Sequence, residues 1–154
     1  MSSLWIQRNM RKVEANINIK SSPNLILSAF TDEKMLNDWW GVERKLIELK
    51  PGGVYSLAWK ISEAGFGFIS SGIISEYIKN EKLIIKDFVY FNPEKSILGP
   101  MSLSIIVTPD DTFTNLYICQ DGYQFGGDWD WYYEAVVDAW PKALEIIKNY
   151  IENL

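Results

Sequence analysis

The 154-residue sequence contains no histidine. Imidazole general bases, Ser-His and Cys-His nucleophile pairs and His-ligated zinc are therefore excluded. There is one cysteine, Cys119, so an internal disulfide and a cysteine-cluster metal site are excluded too. A lone thiol fits a reducing compartment. With no evident cation beside it to form a thiolate, Cys119 reads as an inert strand residue. No apolar run approaches the roughly 20 residues needed to span a bilayer. Residues 1–11 mix Arg8, Asn9 and Arg11 with Leu4, Trp5 and Ile6, and lack the apolar stretch of a signal peptide. Basic residues are the minority, 15 against 20 acidic, for a formal net charge of −5. Lys45, Lys50, Lys79, Lys82 and Lys86 are dispersed among acids, which suits solvated faces and not a phosphate backbone. Gly65-Phe66-Gly67 and Gly126-Gly127 lack the Lys-Ser/Thr ending of a phosphate loop. The expectations are a cytoplasmic protein with no metal, no cofactor, no nucleic-acid partner and no membrane span.

What the chain has in excess is aromatic: 14% of residues, with 7 Trp, 8 Tyr and 7 Phe. Hydrophobic residues reach 47% and charged residues 23%, the balance of a globular chain with a real core. No linker or repeat divides it, so residues 1–154 are expected to form one domain, with 1–10 as a lead-in.

Along the chain, Val13, Ala15, Ile17 and Ile19 alternate with polar residues, as in a half-buried strand. Ser22-Pro23 starts a short helix, and Thr31-Asp32 offers a cap for a second one ending at Gly41. A strand meander follows, over Arg44–Leu49, Val54–Ile61, Gly65–Ile78, Leu83–Phe91, Met101–Val107 and Thr112–Gln120. Lys50-Pro51-Gly52-Gly53 is a turn, Gly72 marks a bulge, and residues 92–100 and 121–127 read as loops. Asp128 is positioned to cap a final helix to about Asn153. Its stripe is Trp129, Tyr133, Val136, Trp140, Leu144, Ile147 and Ile151, with a kink or break expected ahead of Pro141.

This order predicts an α+β fold: a curved antiparallel sheet of about six or seven strands, with two short helices after the first strand, around a long C-terminal helix. It resembles the helix-grip fold of the START-like, or SRPBCC, superfamily. The residues carrying the likeness are Ala29-Phe30-Thr31-Asp32, Leu36-Asn37-Asp38-Trp39-Trp40-Gly41, Lys50-Pro51-Gly52-Gly53-Val54-Tyr55 and Ala139-Trp140-Pro141-Lys142-Ala143-Leu144. They are similar to the branch named after the C-terminal domain of the activator of the heat shock protein 90 ATPase. Members of the branch often carry a histidine near the end of the last strand; Gln120 stands in that area here. The resemblance implies a cavity for a hydrophobic small molecule between sheet and long helix. It also implies two alternatives, a polyketide cyclase or dehydratase-type enzyme and a chaperone-interacting protein.

The aromatics recur at positions such a fold turns inward. The expected cavity wall comprises Trp40 from the second helix, and Tyr55, Leu57 and Trp59 from one strand. Phe88 and Tyr90, Met101 and Leu103, and Tyr117 follow from later strands. Trp129, Tyr133, Val136, Val137 and Trp140 come from the long helix. The competing expectation is that these rings simply fill the core. Trp39 and Trp40, about 100° apart on a helix, are expected to divide between core and cavity mouth. Asp121, Gln124, Asp128 and Asp130 form a polar loop, read either as a lid or as helix-capping acids. Glu76 and Asp87 are the strand-borne candidates for an acid or base if buried beside aromatics, against the leading expectation that they face solvent. No residue is assigned a catalytic role, and the chain is read as a binding protein before an enzyme. Trp5 or an exposed strand edge leaves a homodimer open as a partner.

Overall fold

The computed structural model describes residues 11–154. The lead-in 1–10, and Trp5 with it, lies outside them. Strand β1 (Arg11–Ile19) is followed by α1 (Pro23–Ser28) and α2 (Glu33–Trp40). The meander then runs β2 (Arg44–Ile47), β3 (Val54–Trp59), β4 (Phe68–Ile78), β5 (Lys82–Phe91), β6 (Leu98–Asp110) and β7 (Phe113–Tyr123), closed by α3 (Asp128–Glu152). All pairings are antiparallel, in the order β1-β7-β6-β5-β4-β3-β2. This curved seven-stranded sheet around a long helix is the helix-grip α+β fold.

Local chemistry sets the helix boundaries. The Ser22 hydroxyl accepts from the Leu25 N–H at 3.2 Å, ahead of Pro23 in the first turn of α1. An Asp32 carboxylate oxygen accepts from the Met35 N–H at 3.0 Å, and α2 ends at Gly41, in the left-handed region at φ 72°. Gly72 sits where the β4–β5 register shifts. A Cβ there would lie 2.6 Å from Ile85 Cγ2 and 2.8 Å from the Lys86 carbonyl oxygen, so the strands approach too closely for a side chain.

Several boundaries differ from the expected ones. β6 begins at Leu98, inside the expected 92–100 loop, and β7 continues to Tyr123, inside the expected 121–127 loop. β7 is extended because it is paired on both flanks, Arg11 with Tyr123 and Ser102 with Asp121. α3 runs unbroken through Pro141, against the expected interruption. Pro141 is exposed while Trp140 and Leu144 beside it are buried, so packing on both flanks holds the helix across the missing donor. Its buried stripe is Tyr132, Val136, Trp140, Leu144, Ile147 and Ile151; Tyr132 takes the inward place expected of Trp129 and Tyr133, which are only half-buried.

The core lies between the inner sheet face and the helices. It holds Val13, Ile19, Phe30, Leu36, Tyr55, Leu57, Ile85, Leu103, Ile118, Leu144 and Ile147 among others. α3 packs on β1, β7 and α2. The space left between the same helix and strands β4 and β5 forms the candidate site.

Candidate functional site

A cavity of about 330 Å³ opens between α3 and the β3–β5 side of the sheet. Trp40, Trp59 and Trp140 form one aromatic end. The Trp40 ring centroid lies 5.2 Å from that of Trp59 and 5.7 Å from that of Trp140. The Trp59 indole N–H donates to the Trp40 carbonyl oxygen at 3.0 Å, which fixes the strand ring against the helix end. Phe68, Tyr90 and Tyr132 form the other end, with the last two stacked at 4.7 Å. Phe88 and Ser70 contribute from the sheet, and Val136, Ala139 and Ala143 from the helix. A neighbouring depression of about 610 Å³ shares Phe68, Tyr90, Tyr132, Val136 and Ala139, and adds Ala135, Trp131 and residues 92–94. Ala135, Ala139 and Ala143 are spaced four apart, so one helical row carries methyl groups only and leaves the space unfilled. No Lys, Arg, Asp or Glu lines the 330 Å³ cavity.

One buried polar group reaches this cavity with a full set of partners. Gln120, 3% exposed on the inner face of β7, accepts from the Trp140 indole N–H at 2.9 Å through Oε1. Its Nε2 donates to the Tyr132 hydroxyl at 3.0 Å and lies 3.6 Å from Met101 Sδ. Buried polar groups are costly unless paired, and this amide ties the last strand to two points of α3. Burial raises the Tyr132 phenol above its ordinary pKa, and raises Tyr90 in the same direction. Both are protonated at neutral pH.

Of the residues expected at the cavity, the structure brings Trp40, Trp59, Phe88, Tyr90, Val136 and Trp140 together around it. Tyr55 and Leu57 are 1% exposed and lie in the core; the Tyr55 hydroxyl donates to the Phe30 carbonyl at 2.6 Å. Met101 and Leu103 are likewise core residues. Tyr117 is on the outer face, bonded to Glu14, because the period of two sends it opposite to Leu116 and Ile118. Trp129 and Tyr133 pack edge-on against Tyr123, and Val137 is exposed on the far side of α3. Trp39 is buried with its indole N–H on the Ala29 carbonyl at 2.7 Å, while its ring stacks on Trp40 at 4.8 Å. Phe68, Ser70, Gln120, Tyr132, Ala139 and Ala143 line the cavity without having been expected there. The alanine row was visible in the sequence as a four-residue spacing; a lone serine or glutamine carries no such signal.

Two carboxylates of the acidic loop are engaged in hydrogen bonds within the fold. Asp128 is not the cap of α3, since Gly127 holds that position without a side-chain bond. Instead its carboxylate accepts from the Ser96 N–H at 2.9 Å and the Ser96 hydroxyl at 2.8 Å, pinning the β5–β6 loop. Asp130 accepts from the Gly126 N–H at 3.0 Å and from Arg11 at 2.9 Å. The Arg11 guanidinium lies between the Phe125 and Tyr133 rings, 4.1 and 4.3 Å from their centroids. Both carboxyls sit below the usual 3.8, Asp128 through its Ser96 bonds and Asp130 through Gly126 and then Arg11. A folded pKa below the unfolded one means the contribution is present above about 3.8 and lost as pH falls through the folded value. In an acid titration of stability, Asp128→Asn is expected to lower stability at neutral pH, where the ionised carboxylate contributes, and to flatten the decline below pH about 4 as the two proteins converge. A titration curve parallel to the wild type would count against this anchoring role.

Glu76 is paired with Lys82 at 3.0 Å at the surface and Asp87 is exposed, so neither reaches the cavity. Cys119 is half-buried, and burial pushes its thiol up, away from nucleophilic character. Among the described residues no metal-binding cluster of His, Cys, Asp or Glu is present, and no helix is long and apolar enough to cross a membrane. The Tyr123 hydroxyl is buried with no hydrogen-bond partner among the described residues. Tyr123→Phe removes that unpaired group while keeping the ring contacts with Trp129, Tyr132 and Tyr133. It is expected to stabilise the fold by about 1 kcal/mol in urea unfolding; a lower midpoint would reveal a partner for the hydroxyl.

A family model described as "Activator of Hsp90 ATPase homolog 1-like protein" matches residues 20–152. No curated protein matches the chain. Among solved structures, it is similar to a protein of unknown function from Staphylococcus aureus, at 16% identity and TM-score 0.69, with 94% of each chain covered. It is similar to the Aha1 dimer from Colwellia psychrerythraea at 17% identity and TM-score 0.68, covering 92% of this chain and 96% of that one. It also resembles CalU16 from Micromonospora echinospora at 16% identity and TM-score 0.66, covering 92% and 74%. At these identities the likeness is one of fold.

Proposed function

We propose that this chain, which belongs to the family of Activator of Hsp90 ATPase homolog 1-like proteins, binds a small hydrophobic or aromatic molecule in the cytoplasm. The observation carrying the proposal is the uncharged cavity of about 330 Å³, walled by Trp40, Trp59, Tyr90, Tyr132 and Trp140. Ligand sites are typically concave and mostly apolar with a few placed polar groups, and run from roughly 300 Å³ upward. Native mass spectrometry of protein purified from its own host tests it. A retained small molecule that dissociates on denaturation supports the reading. A bare polypeptide mass, together with no binding of small aromatic probes, overturns it.

An acid-base enzyme of the cyclase type finds less support, because no carboxylate lines the cavity and its two phenols are held protonated. The family match favours one second reading, action on an Hsp90-type chaperone. Stimulation of the host chaperone's ATPase by the purified protein would support it; no change in ATPase rate and no co-purification would count against it.

A further inference from the structure

Resting on the ligand-binding reading above, we infer that the occupant of the cavity is a neutral ring compound with a carbonyl or ether oxygen, held by a hydrogen bond from the Tyr132 hydroxyl. The inference follows from a chain of donors. An indole N–H can only donate. Trp140 Nε1 lies 2.9 Å from one end of the Gln120 amide, so that end is the carbonyl oxygen. The other end is then the NH₂ group, 3.0 Å from the Tyr132 oxygen. An amide nitrogen does not accept, so the Tyr132 oxygen does, and the phenol's own proton remains unspent. Among the hydrogen bonds of the described residues, nothing accepts that proton.

The rim repeats the arrangement more loosely. Asn92 Oδ1 accepts from the Glu94 backbone N–H at 3.0 Å, which turns its NH₂ toward the Tyr90 hydroxyl, at a long 3.5 Å. Both phenols of the stacked pair thus present protons, and burial keeps both neutral. A ligand carboxylate or phosphate would find no cationic side chain lining the cavity and would lose its hydration uncompensated. A flat uncharged ring matches the aromatic ends, and an acceptor oxygen on it completes the one donor the chain leaves open. Ser70, buried and lining the same cavity with no side-chain hydrogen bond among the described residues, adds a hydroxyl on the opposite, sheet side.

The test compares two ketones with the hydrocarbons of the same skeleton: 1-indanone against indane, and 9-fluorenone against fluorene, by ligand-observed NMR titration. The wild type is expected to favour the ketone of at least one pair by about tenfold, the worth of one hydrogen bond inside a dry site. Tyr132→Phe is expected to abolish the preference, so that ketone and hydrocarbon of each pair bind equally. Trp140→Phe keeps the phenol but frees the Gln120 amide to turn its oxygen toward Tyr132 and take the proton, so the preference falls there as well. Should Tyr132→Phe fail to fold, this second variant carries the comparison. Equal binding of ketone and hydrocarbon by the wild type, or a preference that survives Tyr132→Phe, overturns the inference and leaves the cavity reading standing. Binding of none of the four probes overturns the inference and, joined with a bare polypeptide mass, overturns the cavity reading as well.

Discussion

Ala139→Trp is expected to empty the protein of aromatic ligand without unfolding it. Ala139 borders both the 330 Å³ cavity and the neighbouring depression, yet is itself exposed and absent from the core. An indole projected from this position occupies the gap that the alanine row leaves between α3 and the Trp40, Trp59 and Tyr90 rings. Aromatic side chains bury roughly 150–250 Å², so the incoming ring competes with a ligand for most of the wall. Losing about 100 Å² of apolar contact at roughly 25 cal/mol per Å² costs about 2.5 kcal/mol, nearly two decades of affinity. Stability should stay within about 0.5 kcal/mol, as for other exposed positions. Probe titration and thermal unfolding of the same sample read both effects. Unchanged probe binding by the variant would move the ligand site elsewhere on the molecule.

Trp140→Ala is expected to have the largest effect on stability of any single change at the site. Trp140 is 7% exposed and packs on Trp40, and its indole N–H is the partner of buried Gln120. Truncating a buried Trp costs about 3–5 kcal/mol through lost burial and the void left behind. The abandoned amide oxygen adds part of a further 1–3 kcal/mol, since the enlarged space admits water that can satisfy it. Against a total of roughly 5–15 kcal/mol for a domain, the variant should be marginal or unfolded at room temperature. Trp140→Phe retains most of the ring burial and isolates the hydrogen-bond share, so it should lie between wild type and Trp140→Ala in urea unfolding. If Trp140→Phe equals wild type, the Trp140–Gln120 hydrogen bond contributes nothing to holding α3 on the sheet.

The legible part of this molecule follows from short-range rules. Ser22-Pro23 and Asp32 form their helix starts through bonds to N–H groups three residues on. The alternation of Val13 to Ile19 with polar neighbours appears as a strand paired with β7. Gly72 marks its bulge because the β4 and β5 backbones meet there. The less legible features depend on what packs from far away in sequence. β7 outlasts its alternation because β1 supplies partners from more than 100 residues earlier. Pro141 stays inside α3 because flanking residues are buried against other elements. Tyr132 displaces Trp129 and Tyr133 from the inner stripe because Gln120, on the facing strand, offers it a hydrogen bond.

The candidate site divides the same way. By itself the sequence determined the element order, the helix caps, the absence of imidazole and cysteine-cluster chemistry, and a set of rings alternating toward the inside. It could not separate a ring that fills the core from a ring that borders a space. Tyr55 and Trp59 share one face of β3, yet the first is sealed under Phe30 and the second borders the cavity. That division was decided by where α3 rests, on β1, β7 and α2, with a row of alanines toward β4 and β5. Periodicity is a property of one segment, whereas a cavity is the difference between two surfaces, and only their packing in three dimensions fixes it.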